Sequence, residues 1–227
     1  MTYVFEPPVQ ASVAVLDSEG RFPVRRIFCV GRNYAGHVRE MGNDPKSEPP
    51  IFFTKPADAV VESGADIAYA TNTANLHYEV ELVLAIGAGG ADIAESDAAQ
   101  HVWGYAVGVD LTRRDRQAEA KKGGAPWDTA KAFDQSAPIS AITRTPPAAD
   151  ARIWLAVNGD TKQDARLGDM IWSVPEIIAH LSRSWMLQPG DLIFTGTPAG
   201  VGPIVAGDVV TCGVNGLPEL SFKIAPQ

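Results

Sequence analysis

Glu79 and Glu81 lie one residue apart in the run LHYEVELVLAIG, and Asp110 closes the later run WGYAVGVD. On a strand, side chains at i and i+2 leave the same face, so the two glutamates are either a ligand pair or the wet face of an edge strand. Asp110 stands where an apolar run gives way to TRRDRQ, the kind of strand end that opens into a site. Three carboxylates brought together repel one another unless a cation joins them. All-oxygen ligation suits a hard ion such as Mg²⁺ or Mn²⁺. A second pair, His37 and Glu40, falls three residues apart in HVRE. On a helical turn these side chains are neighbours, and a carboxylate beside an imidazole fixes the tautomer needed to take a proton from water. Any exposed helix can carry such a pair. This one sits in GRNYAGHVREMGNDPKSEPP, a segment bracketed by Gly36 and Gly42 of the sort that closes over a substrate.

Charge counting constrains what stands around the carboxylates. Three of them and one divalent ion leave a net charge of about −1 before an anionic substrate arrives, so a fixed cation must compensate. Arg114 follows Asp110 by four residues on the same helical face, and Lys131 lies in WDTAKAFDQS, a mixture typical of a strand or loop edge. Either is otherwise a solvated surface charge. The loop FTGTPAGVG offers glycine-exposed backbone N–H groups and the hydroxyls of Thr195 and Thr197. It could hold a carboxylate, or be no more than a tight turn between strands. It lacks a GK(S/T) ending and a following helix, so it is no nucleotide fingerprint.

The elements that must position these groups are mostly short strands. Residues 1–25 read as an arm, with a Pro7-Pro8 pair and then a strand and turn in SVAVLDSEGRFPV. RRIFCVG, IFFTKPADAVV and the run carrying Glu79 and Glu81 follow as strand candidates. A helix is expected after Asp110, with Thr112 and Asp115 as a capping box and Gly123-Gly124 as its stop. A second helix is marked by the Ser173 and Glu176 capping box, Pro175 in the first turn, and Ile177, Ile178, Leu181 and Trp185 at helical spacing. His180 on that helix reads as a packing or surface histidine. No repeat or low-complexity tract interrupts the chain, and the TPPAAD loop at 145–150 is a poor domain boundary because strand-like segments continue beyond it. The expectation is one α+β domain, mostly strand, with the arm as part of it.

The 227 residues are 45% hydrophobic and 20% charged, enough for a substantial core. With 27 acidic against 19 basic residues the net charge is −8, which argues against a general nucleic-acid or anionic-membrane surface. Cys29 and Cys212 lie far apart in apolar surroundings without zinc spacing, and read as buried thiols of a reducing compartment. The N-terminus has no targeting pattern and no apolar run approaches the length of a membrane span, so a cytoplasmic location is expected.

Taken in order, GRNYAGHVREMG, KPADAVV, HYEVELVLAIG, GYAVGVDLTRRDRQ, the lysine of AKAFDQSAP and DLIFTGTPAGVGP resemble the fumarylacetoacetate hydrolase (FAH) superfamily. The blocks run from about residue 25 to the C-terminus, so the catalytic domain is expected over 26–227. FEPP, FPVRRIFCVGRNYAGH, WGYAVGVDLTRRD and DMIWSVPEIIAHLS carry a narrower resemblance to its bacterial fumarylpyruvate hydrolase branch. The resemblance implies a mixed β-sandwich roll, a homodimer, and Mg²⁺ or Mn²⁺ held by Glu79, Glu81 and Asp110. It places His37 and Glu40 as a water-activating dyad on a lid and Lys131 as the site lysine. Gln117 and Thr197, with Arg114 beside them, match positions that meet the oxo-acid end of a small anionic substrate. The implied activity is hydrolysis of the carbon–carbon bond of a 3-acylpyruvate, with fumarylpyruvate giving fumarate and pyruvate in gentisate breakdown. The far carboxylate of that substrate needs its own cation, for which Arg32 and Arg113 are candidates. Oxaloacetate decarboxylases and broader acylpyruvate hydrolases share most of these blocks and remain alternatives. A catalytically silent metal-binding protein is the alternative of another class, against which the intact dyad speaks.

Overall fold

The Val80–Ile86 strand (VELVLAI) is buried along its whole length, as a strand is when both faces of its sheet are covered. The computed structural model describes residues 2–40 and 49–226. In it, this strand lies fourth in a seven-stranded mixed sheet. The order is Ile51–Lys55, Arg26–Gly31, Asp191–Phe194, Val80–Ile86, Val102–Val109, Ala137–Ile139, Val60–Glu62. Two of its pairings are parallel, Asp191–Phe194 with Arg26–Gly31 and Ala137–Ile139 with Val60–Glu62. Glu81 is therefore on a central strand, 1% exposed, which removes the wet-edge reading.

Alternation within the strands sorts side chains into two cores. Phe28, Val30, Leu82, Leu84, Val107 and Val109 leave one face and meet Ile153, Leu155, Cys212 and Phe222 of a second, five-stranded sheet. Their neighbours in sequence, Ile27, Cys29, Val83, Ala85 and Phe194, leave the other face. There they pack against Val13 and Phe22 of the Ser12–Ala14 and Arg21–Pro23 hairpin. The result is the expected α+β fold, mostly β, with a few short helices on two packed, curled sheets. Both cysteines are free and buried. Among the described residues no helix is long and apolar enough to cross a membrane.

The helices depart from the sequence reading in instructive ways. The first long one spans Arg114–Gly123 and stops at Gly124, whose φ of 63° needs no Cβ-bearing residue to be strained. Its N-cap is Arg113, with no side-chain cap. Thr112 lies instead on a two-residue strand, and its hydroxyl donates to the Asp110 carbonyl at 3.1 Å. Asp115 accepts from the Thr73 hydroxyl at 2.6 Å and the Ala74 N–H at 3.0 Å. A tertiary partner has taken the role expected of a local cap. Lys131 ends a short helix, Asp128–Lys131, and is not on a strand or loop edge. The expected moving segment runs on through 41–48, outside the described residues. His180 packs edge-on against Trp172, ring centroids 4.9 Å apart.

The Val174–Ser184 helix starts as expected, though Trp185 is its C-cap and lies beyond its last turn. The Glu176 carboxylate accepts the Ser173 N–H at 2.8 Å and its hydroxyl at 2.6 Å, and these bonds hold the carboxyl below its usual pKa. Glu176→Ala is expected to cost about 1 kcal/mol in urea unfolding at neutral pH. A lowered folded-state pKa gives stability above the unfolded value of about 4.3, lost as pH falls through the folded value. The gap between wild type and variant should therefore close below about pH 4.

Candidate metal centre and active site

The antiparallel ladder between Val80–Ile86 and Val102–Val109 brings the three carboxylates together. Val80 pairs with Val109 and Glu81 with Gly108. One step further, the Asp110 N–H donates to the Glu79 carbonyl at 2.8 Å. Residues opposite one another in such a pair share a face, so Glu79, Glu81 and Asp110 emerge on one side around a position, Gly108, that has no side chain. The strand breaks at Glu79: Leu76–Tyr78 belongs to a separate three-stranded sheet with Thr112–Arg113 and Gly202–Pro203. Glu79, Glu81 and Asp110 are all buried and offer oxygen atoms within 4.8 Å of one another.

Three cations meet these acids. Lys131 Nζ donates to Glu79 Oε2 at 2.8 Å, Asp110 Oδ2 at 2.6 Å and Thr112 Oγ1 at 2.6 Å. Arg114 donates to Glu79 Oε1 and, at 2.6 Å, to Gln117 Oε1. Lys55 was not singled out in the sequence. Its Nζ donates to the Leu111 carbonyl at 3.1 Å and to the Lys131 carbonyl, and lies 2.8 Å from Asp110 Oδ1. That last contact is a charge contact with poor hydrogen-bond geometry, because Asp110 Oδ1 is buried and accepts no hydrogen bond. Three acids against three bases make the cluster formally neutral, and a divalent ion would make it about +2. The count of −1 made from the carboxylates alone is corrected by these fixed cations.

Burial alone would raise the Glu79 pKa, but the charges of Lys131 and Arg114 outweigh it and hold this carboxyl low. Glu81 goes the other way. Burial, then the neighbouring charges of Asp110 and Glu79, push its pKa well above the ordinary range, with the Gly196 N–H and Lys131 only partly offsetting. Lys131 would be lowered by burial, yet Asp110 and Glu79 raise it. An all-oxygen donor set, an orphaned buried Asp110 oxygen and a carboxylate destabilised by its like-charged neighbours fit a hard divalent cation.

The 195–202 loop differs from its sequence reading. Thr195 donates its hydroxyl to the Leu82 carbonyl at 2.9 Å and is fully buried, which removes it from the substrate's reach. The loop's N–H groups hold the protein's own carboxylates. Gly196 N–H donates to Glu81 Oε2 at 2.7 Å, and Gly200 N–H lies 3.2 Å from Glu40 Oε1. Both glycines have positive φ, 98° and 96°. Thr197 does line the cleft, and its hydroxyl accepts from buried Gln163 Nε2 at 2.8 Å. Gln163 also accepts the Val80 N–H at 3.0 Å, tying the loop to the central strand.

His37 and Glu40 lie on the Ala35–Glu40 helix with His37 Nδ1 3.1 Å from Glu40 Oε2. Asn33, just before that helix, donates to the carbonyls of Thr195 and Trp172 at 2.7 and 3.0 Å and so pins the helix to the 195–202 loop. His37, Arg32, Arg114, Gln117, Lys121 and Thr197 face one cleft with Glu79 and Lys131. Arg113 does not line it. Its guanidinium sits 4.2 Å over Phe133 and donates to the Thr129 carbonyl. Asn33, Lys55 and His77 lie within the family-like blocks GRNYAGHVREMG, KPADAVV and HYEVELVLAIG but were given no role there, and Gln163 lies outside them. His77 accepts from Arg114 Nε at 3.4 Å, and burial with the Arg114 charge lowers its pKa to about 4, so it is a neutral acceptor.

The family model described as fumarylacetoacetate hydrolase C-terminal matches residues 26–225. The chain belongs to the fumarylacetoacetate hydrolase family. It is 46% identical over 185 residues to the fumarylpyruvate hydrolase of a Ralstonia species, covering 81% of this chain and 96% of that one. It is 42% identical over 203 residues to the human mitochondrial oxaloacetate tautomerase FAHD1, covering 88% and 91%. Among solved structures, fumarylpyruvate hydrolase from Pseudomonas aeruginosa in complex with Mn²⁺ and pyruvate superposes with a TM-score of 0.97 at 48% identity, covering all of both chains. In this family setting the Glu79, Glu81 and Asp110 cluster is one that could bind a divalent metal.

Gly196→Ala tests how the ligands are held. A Cβ there would lie 2.6 Å from Asn33 Cβ at a backbone angle that side chains avoid. Displacing the Gly196 N–H from Glu81 should weaken Mn²⁺ binding by roughly 10- to 100-fold. Isothermal titration with Mn²⁺ reads this directly, and wild-type affinity in the variant would refute it.

Proposed function

We propose that this FAH-family enzyme hydrolyses the carbon–carbon bond of 3-acylpyruvates, and that fumarylpyruvate, cleaved to fumarate and pyruvate, is its substrate. The observation that supports it most is that His37, of an intact His37–Glu40 pair, and Glu79, of the buried carboxylate cluster, line one cation-rich cleft. A divalent ion held by Glu79, Glu81 and Asp110 would supply Lewis-acid charge for the oxo-acid end of the substrate.

Each remaining role falls to the chain itself. Glu40 accepts from His37 Nδ1, which leaves Nε2 as the ring's proton acceptor toward water in the cleft. Water deprotonated there attacks the acyl carbonyl, a contribution typically worth roughly 10²- to 10⁴-fold. The bond to the pyruvyl carbon then breaks, and the electron pair leaves as the enolate of pyruvate. Lys131, whose N–H groups are given to Glu79, Asp110 and Thr112, would oppose that negative charge as a fixed positive charge in the cleft. The proton taken by His37 is returned to the enolate carbon, so the dyad ends as it began. Gln117 has its amide oxygen occupied by Arg114, which leaves its NH₂ for a substrate oxygen beside Thr197. Gentisate breakdown as the source of substrate, a homodimer and a cytoplasmic site of action belong to this proposal.

Similarity to an oxaloacetate tautomerase favours one second reading: the same cluster would stabilise the enolate of oxaloacetate, with the dyad moving a proton between the α-carbon and the oxo oxygen and no carbon–carbon bond broken. Measuring fumarylpyruvate, acetylpyruvate and oxaloacetate side by side with Mg²⁺ separates the two. The enol absorbance of fumarylpyruvate should decay with stoichiometric pyruvate release; a rate equal to the no-enzyme control removes fumarylpyruvate as the substrate, and the same result with acetylpyruvate as well sinks the hydrolase. Chelation with EDTA should abolish turnover and Mn²⁺ restore it. For His37→Ala, hydrolysis should drop by roughly 10²- to 10⁴-fold with Mn²⁺ affinity retained. Unchanged turnover would remove the dyad from the reaction.

A further inference from the structure

The Arg114–Gly123 helix presents three polar groups to the cleft, Arg114, Gln117 and Lys121. Spacings of three and four residues put them on one face, and the rise of an α-helix separates the first from the last by about 10 Å along the axis. Arg114, at the near end, is bonded to Glu79 of the carboxylate cluster, and Gln117 is bonded to Arg114. Lys121 stands at the far end. Its ammonium lies 5.2 Å from the Trp127 ring centroid, and Trp127 packs against Phe53 at 5.8 Å, both rings lining the same cleft. The aromatic wall fixes where the charge is held. Among the described residues no carboxylate lies within ion-pair distance of Lys121, whereas Arg114 and Lys131 are both paired to Glu79.

Its electrostatic surroundings are those of a site short of an anion. Partial burial, and then the charges of Arg114 and Arg32, pull the Lys121 pKa down to about 8, with Glu79 only partly opposing. A carboxylate arriving beside it would relieve that repulsion.

We propose that Lys121 receives the far carboxylate of a dicarboxylic acylpyruvate, so that the face formed by Arg114, Gln117 and Lys121 measures the substrate from its oxo-acid end to its acid tail. This inference rests on the acylpyruvate hydrolase reading and narrows its substrate class. Acylpyruvates ending in a carboxylate are favoured over those ending in a methyl group. Oxaloacetate is too short to span from the cluster to the end of the helix face. Arg113, expected as a candidate for this role, is turned toward Phe133, and the exposed stretch of the helix supplies the cation instead.

Kinetics on the full-length enzyme with Mg²⁺ decide it. In Lys121→Met, the ratio of kcat/KM for fumarylpyruvate to that for acetylpyruvate should fall by roughly 10- to 100-fold, the worth of a hydrogen bond to a charged group, with the change mainly in KM. Lys121→Arg should restore most of the ratio. Lys122→Met removes the same charge one residue away, at an exposed position outside the cleft, and should leave the ratio at its wild-type value. An unchanged ratio in Lys121→Met, or an equal fall in Lys122→Met, overturns the assignment. Wild-type enzyme that cleaves acetylpyruvate but not fumarylpyruvate overturns it and spares the hydrolase reading. Cleavage of neither overturns both.

Discussion

A buried carboxylate is tolerated only where something positive shares its low-dielectric surroundings, and three of them multiply the requirement. Lys131 meets it most directly, because one ammonium is shared between Glu79 and Asp110. Lys55 and Arg114 complete the balance from the two flanks. The neutral cluster lets the core strands Val80–Ile86 and Val102–Val109 carry acids at their ends without swelling apart. It also presets the field in which an ion and an anionic substrate are received. The chain's overall charge of −8 would repel such a substrate, and the cleft inverts it locally.

The scaffold serves that cluster by ladder register. Once Val80 is opposite Val109, the placement of Glu79 and Asp110 follows without any loop having to find its conformation. Gly108, opposite Glu81, lets Phe194 and Val83 pack directly beneath the carboxylates, since a Cβ there would come within 2.5 Å of Phe194. The two hydrophobic clusters on opposite faces of the sheet hold that register from both sides.

The Glu79 and Glu81 pair, the His37 and Glu40 pair and the second helix were legible in the sequence because their geometry is local. They depend on strand alternation, a helical turn and a capping box, whereas Asp110 was joined to the glutamates by the family resemblance and meets them only across the strand ladder. Lys131 was legible as a residue but not as a buried one, since a lysine in a polar segment ordinarily faces water and only the folded chain reveals its three acceptors. The roles of Lys55, His77, Asn33 and Gln163 were hidden for the same reason. Each acts across many residues of chain, as Gln163 does on Val80, and no spacing rule connects them. Thr112 and Asp115 show the opposite error: the spacing of a cap was present, and Lys131 and Thr73, distant in sequence, engage the two side chains instead.

One short stretch of backbone holds both a metal-ligand candidate and the dyad. Gly196 grips Glu81 and Gly200, four residues on, grips Glu40. The spacing between the His37–Glu40 pair and the carboxylate cluster is therefore set over a single loop, and the accumulated error of a whole sheet does not enter it. Drift of the surrounding strands carries both carboxylates together. Substitutions in the two cores are therefore expected to alter stability while leaving that internal spacing intact.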